Sequence, residues 1–174
     1  MLRSAIVILF VTALCVGADS GAGVGWTMPP SWKAEGQRPM RLATYMVVPG
    51  AECGVYYFGS GQGGSVDANL DRWIGQFLQA DGKSSKAAAK IAKRTIHGWQ
   101  ATTVDVSGAY TGMGGPTAPA GPAMPGYRML GAIVEGPQGS IFFKFTGPAK
   151  TIGANQAAFD KMLGSLAPAS AAGK

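Results

Sequence analysis

Gly59, Gly61 and Gly64 stand at G-x-G-x-x-G spacing, after the strand-like run Val55-Tyr56-Tyr57-Phe58 and before an amphipathic segment. Backbone N–H groups in such a bend can cradle phosphate, and Asp81 follows at about the 20-residue distance the dinucleotide fingerprint asks for. The chain that follows does not alternate strand and helix, and no Gly-Lys-Ser/Thr ending is present, so a P-loop is excluded. The plain reading is a sharp strand-to-helix turn that needs left-handed backbone; anion binding at Gly61, Gly63 and Gly64 is the alternative. Asp67-x-Asn69-x-Asp71 copies the opening of a calcium loop, but that loop needs Gly where Arg72 stands and Glu where Leu78 stands. Cys53 and the sole histidine, His97, are the only pair with nucleophile-and-base character, and no third group is placed to orient them. One His and one Cys cannot make a zinc site without carboxylates at unsupported spacings. Glu35, Glu52, Glu135, Asp105 and Asp160 are scattered singly, with no paired-carboxylate spacing. No metal or cofactor is expected. Asn69, Arg72 and Gln76, at i, i+3 and i+7, read as a polar ridge on the solvent face of a helix. An arginine flanked by amides suits a carboxylate or a peptide carbonyl.

These residues need elements to hold them. Val66, Leu70, Trp73, Ile74, Phe77 and Leu78 form one apolar stripe at helical period, with Ser65 as N-cap, Asp67 in the first turn and Asp81-Gly82 as the stop. Trp73 and Phe77 should bury this helix against a sheet. Met40–Val48 alternates as a strand, with Met40, Leu42, Thr44, Met46 and Val48 on one face and Arg41, Ala43, Tyr45 and Val47 on the other. Glu52–Phe58 is its antiparallel neighbour. Helix or loop to about Ala88 precedes a strand from Ala89 to Ile96. His97-Gly98 is read as a two-residue hairpin turn, with Trp99–Ser107 returning. Gly112–Gly126 is too rich in Pro and Gly for a ladder or a helix and is expected as a long loop. Tyr127–Glu135 and Ser140–Thr146 form a second hairpin. Phe159, Met162, Leu163 and Leu166 mark a C-terminal helix over about Asn155–Leu166. Trp26–Trp32 is a proline-stiffened piece packing its two tryptophans on the core.

Composition bounds the setting. The 174-residue chain has a formal net charge of +6. Met1-Leu2-Arg3 followed by the apolar run Ala5–Val16, with Val16 and Ala18 as small residues at −3 and −1, reads as a signal peptide over residues 1–18, cleaved before Asp19. Cys15 offers a lipid-anchored alternative, against which Leu14 speaks as too large for the usual preceding position. Residues 19–25 are expected as a flexible lead-in, 26–167 as one globular domain and 168–174 as a flexible tail. After cleavage Cys53 is the only cysteine, so no intramolecular disulfide forms. No later apolar run is long enough to span a bilayer. The basic excess suits an envelope protein or acidic partner, and no nucleic-acid motif accompanies it. Oligomeric state is not readable.

The order of strands, helix, hairpin, long loop, hairpin and closing helix resembles the PsbP-like α/β/α sandwich, a superfamily of thylakoid-lumen photosystem II proteins, a Ran-binding import factor and exported bacterial proteins. More narrowly, Arg38-Pro39-Met40-Arg41, Gly61-Gln62-Gly63-Gly64 with Ala68-Asn69, Arg72-Trp73-Ile74-Gly75-Gln76-Phe77, Gly131–Pro137, Phe142-Phe143-Lys144 and Gly147-Pro148 resemble a family of uncharacterised exported bacterial proteins. The resemblance implies an α+β fold: a single sandwich with a mostly antiparallel sheet of about six strands, a central helix and a C-terminal helix. It implies docking or assembly rather than turnover and brings no catalytic residues. Three functions are therefore carried forward. They are an exported binding or assembly module of the envelope, a small-molecule or anion binder using the Gly59–Gly64 bend, and a hydrolase.

Overall fold

The computed structural model describes residues 18–112 and 122–169. The expected signal peptide up to residue 17, most of the expected Pro/Gly loop and the end of the tail lie outside the described residues. The chain enters as a hairpin, β1 (Ala18–Gly21) and β2 (Val24–Thr27), turned by Ala22 and Gly23 with φ of 52° and 78°. Residues 19–25, expected as a flexible lead-in, are thus largely strand.

A two-residue β3 (Lys33–Ala34) leads to β4 (Arg41–Val47) and β5 (Ala51–Tyr57). The glycine bend then delivers α1 (Val66–Ile74), capped by Ser65, whose Oγ accepts from Ala68 N at 3.2 Å. Asp67 sits in its first turn as expected. The helix stops at Gly75, before Asp81-Gly82, and the chain straightens into β6 (Phe77–Leu78). Phe77 still fills the core beneath α1, which is why its spacing looks helical. A one-turn α2 (Ser85–Ala88) precedes β7 (Lys90–Ile96) and β8 (Trp99–Tyr110), joined through His97 and Gly98 at φ 47° and 84°. Two consecutive left-handed residues make the turn whose twist suits a two-residue hairpin. Next, β9 (Met124–Gly136) starts three residues before the expected Tyr127, and β10 (Gly139–Pro148) returns beside it. The closing helix α3 (Ala149–Gly164) begins directly after Pro148, earlier than the apolar stripe alone marks. β11 (Ala167–Pro168) then pairs with β2.

All strand pairings are antiparallel. The large sheet runs β3-β4-β5-β10-β9-β8-β6, with β7 also paired to β8. Among the described residues it has eight strands where about six were expected. The two additions, β3 and β6, are two residues long and too short to show a period. β1, β2 and β11 form a separate three-stranded sheet.

Side chains alternate across the large sheet. Ile141, Phe143 and Phe145 of β10 and Leu130, Ala132 and Val134 of β9 pack with Phe159, Met162 and Leu163 of α3. Trp26 and Trp32 join this layer, as expected of the proline-stiffened segment. Phe142, Met129, Ile133, Val104 and Val106 pack on the other face, with Leu70, Trp73 and Ile74 of α1. The helices therefore cover opposite faces of one sheet. In β4 the alternation breaks. The register with β5 slips between Arg41 and Ala43, leaving Leu42 as the extra residue. A bulge of this kind rotates what precedes it, so Arg41 lies over the Tyr56 ring, with its Cζ 5.1 Å from the centroid, instead of sharing a face with Ala43 and Tyr45.

Candidate functional site

The α1 face of the sheet carries a lysine at its centre. Lys144 stands inside Ile141-Phe142-Phe143-Lys144-Phe145, on a strand buried from both sides, and only 7% of it is exposed. Its cross-strand neighbours are both glycines, Gly54 on β5 and Gly131 on β9. Each glycine makes room for an aromatic ring. A Cβ on Gly54 would lie 2.6 Å from the Tyr56 hydroxyl oxygen, and one on Gly131 would lie 2.7 Å from Trp73 Cζ3. The lysine therefore rises from the sheet with Tyr56 over one neighbour and Trp73 over the other.

At its tip the Nζ donates to Gln76 Oε1 at 2.5 Å and to the Tyr110 hydroxyl at 3.3 Å, and lies 5.4 Å from the Tyr110 ring centroid. Gln76 is held from behind, where its carbonyl accepts from Thr111 N at 2.9 Å and Thr111 Oγ1 at 3.1 Å. Its Nε2 has no partner among the described residues; neither does Thr146 Oγ1, two residues along β10 from Lys144.

Beside this lysine is a cleft of about 210 Å³ lined by Met40, Tyr56, Phe58, Asn69, Arg72, Trp73, Phe142 and Lys144. That exceeds the room one water needs many times over, since a water's share of liquid volume is about 30 Å³. The walls are mainly aromatic, with Phe142 edge-on to Phe58 at 5.4 Å and to Trp73 at 6.3 Å. At the rim Met40 is 71% exposed and held in the left-handed region at φ 63°, a strained setting for a side chain of its size.

The charges are of one sign. Neither Lys144 nor Arg72 has a carboxylate at ion-pair distance among the described residues. Arg41 is paired with Glu52 at 2.5 Å. Burial, reinforced by the Arg72 and Arg41 charges, lowers the Lys144 pKa from 10.5 to about 8. Burial also raises the phenol pKa of Tyr56 and Tyr110, so both hydroxyls keep their protons. A buried cation without a counter-ion carries a desolvation penalty that an incoming anion relieves.

No family model and no curated protein matches this chain. Among solved structures it is similar to the cyanobacterial PsbP (CyanoP) of Synechocystis sp. PCC 6803, with a TM-score of 0.54 at 11% identity over 94% of this chain and 99% of that one. The fold is PsbP-like. Two further structures are similar at lower scores. One is a Pseudomonas aeruginosa protein of unknown function, PA94, with a TM-score of 0.46 at 12% identity over 87% of this chain and 86% of that one. The other is a Bacteroides thetaiotaomicron protein, with a TM-score of 0.47 at 12% identity over 90% of this chain and 49% of that one.

Within this PsbP-like sheet the residues picked from sequence are divided. Asn69 and Arg72 line the cleft, and Gln76 reaches it through Lys144. They are not a ridge on the solvent face. Asn69 is 2% exposed and Gln76 6%, and only Arg72 is open. The cause is geometric. Asn69 Nδ2 donates to the Gly63 carbonyl at 2.7 Å and to the Ser65 carbonyl at 2.8 Å, clamping the bend, while its Oδ1 accepts from Arg72. Gln76 lies past the end of α1, where helical spacing no longer gives its direction. Gly61, Gly63 and Gly64 do not line the cleft. Gly61, Gly63 and Gly64 have φ of 68°, 93° and 80°, as the turn requires, and Gly63 also lies close to Phe58 and Phe142. Cys53 faces the α3 side, fully buried, where burial pushes the thiol pKa far up, whereas His97 sits exposed in the β7–β8 turn. They make no pair. Sequence reading passed over Lys144, Tyr56, Phe58, Tyr110 and Met40. The available signal was a single cation inside an otherwise apolar strand.

Proposed function

We propose that the protein is an exported, non-catalytic binding module of the bacterial envelope, and that its site is the cleft between α1 and the sheet. Its guest is a small molecule with an apolar, preferably aromatic, body and one carboxylate. The observation that carries this is Lys144, which is buried beside Arg72, neither of them having a carboxylate at ion-pair distance among the described residues. The rings of Tyr56, Phe58, Trp73 and Phe142 supply the apolar contact, and the two cations supply the anchor. Ligand sites of this kind are mostly apolar with a few polar groups that fix orientation. The glycine bend takes a supporting part: it sets the start of α1 and so the position of Asn69 and Arg72. The N-terminal apolar run after Arg3 supports export. Among the described residues no helix is long and apolar enough to cross a membrane.

Calorimetry with benzoate and with benzamide tests the reading. Benzoate is expected to bind and benzamide to bind at least about tenfold more weakly, a difference of about 1.4 kcal/mol. Arg72→Ala should remove most of that preference. Equal binding of acid and amide, or no response to the Arg72 change, would overturn it.

A further inference from the structure

Anion binding uses the charge of Lys144 but not its nucleophilicity, and the site is shaped for the second as well. The amine is confined by Gln76, Tyr110 and the rings on either side, and the other described lysines are all exposed. We propose that Lys144 captures small carboxylate-bearing aldehydes or α-oxo acids as a reversible imine, with Arg72 holding the carboxylate. This rests on the reading of the cleft as an anion site.

The step balances without an oxidant or a reductant. The neutral amine adds its lone pair to the carbonyl carbon, and the carbonyl electron pair moves to oxygen, which takes up a proton. The nitrogen loses a proton to give a neutral carbinolamine. The hydroxyl then takes up a proton and departs as water while the nitrogen lone pair closes the C=N bond, and the nitrogen's second proton is released, its N–H electrons staying on nitrogen as the lone pair of the neutral imine. Tyr110, its hydroxyl 3.3 Å from Nζ and kept protonated by burial, is within reach to pass protons. Gln76 Oε1 accepts from the amine and fixes its direction, while the unpartnered Gln76 Nε2 is a donor available to the developing oxyanion. Burial favours the neutral amine, as it does for Schiff-base lysines in general. Nothing here requires turnover, because the imine hydrolyses by the reverse path and releases the same carbonyl compound.

The test is reductive trapping on the full chain. The protein is incubated with 4-carboxybenzaldehyde and cyanoborohydride and mapped by peptide mass spectrometry. Lys144 is expected to be labelled about tenfold faster than any exposed lysine, because its neutral fraction near pH 7.5 is far larger. Benzoate should protect it. Arg72→Met should slow labelling by benzaldehyde somewhat, because the Arg72 charge helps keep the amine neutral, and should slow labelling by 4-carboxybenzaldehyde much further, because that aldehyde also loses its carboxylate anchor. Lys144→Arg should abolish the fast adduct; the wild-type map with and without benzoate decides the matter even where that variant does not fold. Uniform labelling of the lysines overturns the proposal. If benzoate binds by calorimetry yet Lys144 is not trapped, the imine is wrong and the anion cleft stands. If Lys144 is trapped and benzoate neither binds nor protects, the carboxylate part fails together with the reading of the cleft.

Discussion

At the scale of single residues, Lys144 ties stability to pH in a direction opposite to that of a paired lysine. Its folded pKa is lowered from 10.5 to about 8. Between those values the unfolded chain holds a proton that the folded chain has released, so this group makes stability rise with pH across that window. Below pH 8 the penalty is fully present. Lys144→Met should therefore be more stable than the wild type at pH 7, by at most about 3 kcal/mol at 1.36 kcal/mol per pKa unit. The gain should shrink toward pH 10.5. Loss of the bond to Gln76 offsets part of it at every pH, so urea denaturation at both pH values, read as a difference, is the measurement. A gain that does not depend on pH would show that the amine is not the source. Anion binding runs the other way: benzoate affinity should fall as pH rises through about 8, since the anchor then loses its proton. Gln76→Ala removes an acceptor from a buried cation and should cost about 1–3 kcal/mol. A loss below 0.5 kcal/mol would make Tyr110 the sufficient partner, on the scale of an ordinary surface change. Legibility at this scale was partial. Arg72 and Asn69 stood out as polar residues of unusual company, but Lys144 was lost among the phenylalanines. Nothing in a strand's period says that its neighbours on the two flanking strands will be glycines under aromatic rings.

At the scale of elements, α1 is the part the sequence described best at its start and worst at its end. Ser65, Asp67 and the Leu70–Trp73–Ile74 stripe are as read, because capping and helical period are local. The stop at Gly75 was not legible, since Phe77 and Leu78 continue the helical spacing while belonging to a strand. The same limit applies to β4, where one extra residue at Leu42 carries Arg41 onto the side of Tyr56. Trp73 is buried as expected and also forms a wall of the cleft. Trp73→Ala should cost about 3–5 kcal/mol by chemical denaturation, as large-to-small core changes do. A loss under 1 kcal/mol would mean that α1 does not sit on Gly131. Asn69→Ala leaves the Gly63 carbonyl without its side-chain donor and the Ser65 carbonyl with the residue-69 backbone N–H alone. It should loosen the bend and weaken benzoate binding with little change in the far-ultraviolet spectrum. Unchanged affinity would separate the bend from the cleft.

At the scale of the molecule, one antiparallel sheet divides two unlike cores. The α3 side is a broad apolar layer that holds the tryptophans of the N-terminal segment and the buried Cys53. The α1 side is smaller and interrupted by Lys144, Gln76 and the cleft. The six long strands of the sheet and both main helices were legible from period, from β-branched and aromatic content, or from the turns that flank them. The three-stranded sheet was not, because β1, β2 and β11 are short and come from opposite ends of the chain. That small sheet bears on the cleavage before Asp19 that we propose for an exported chain. Asp19 pairs with Trp26, and the Tyr45 hydroxyl donates to its carboxylate at 2.5 Å. A peptidase cutting before Asp19 needs the flanking backbone extended and free, and here that backbone is already committed to a ladder. If the proposed leader is cut before Asp19, its removal should precede the docking of β1, making the two events sequential rather than independent. A precursor folded in vitro should resist the peptidase that processes the unfolded chain quickly, and equal rates for the two would show that β1 opens faster than the enzyme acts.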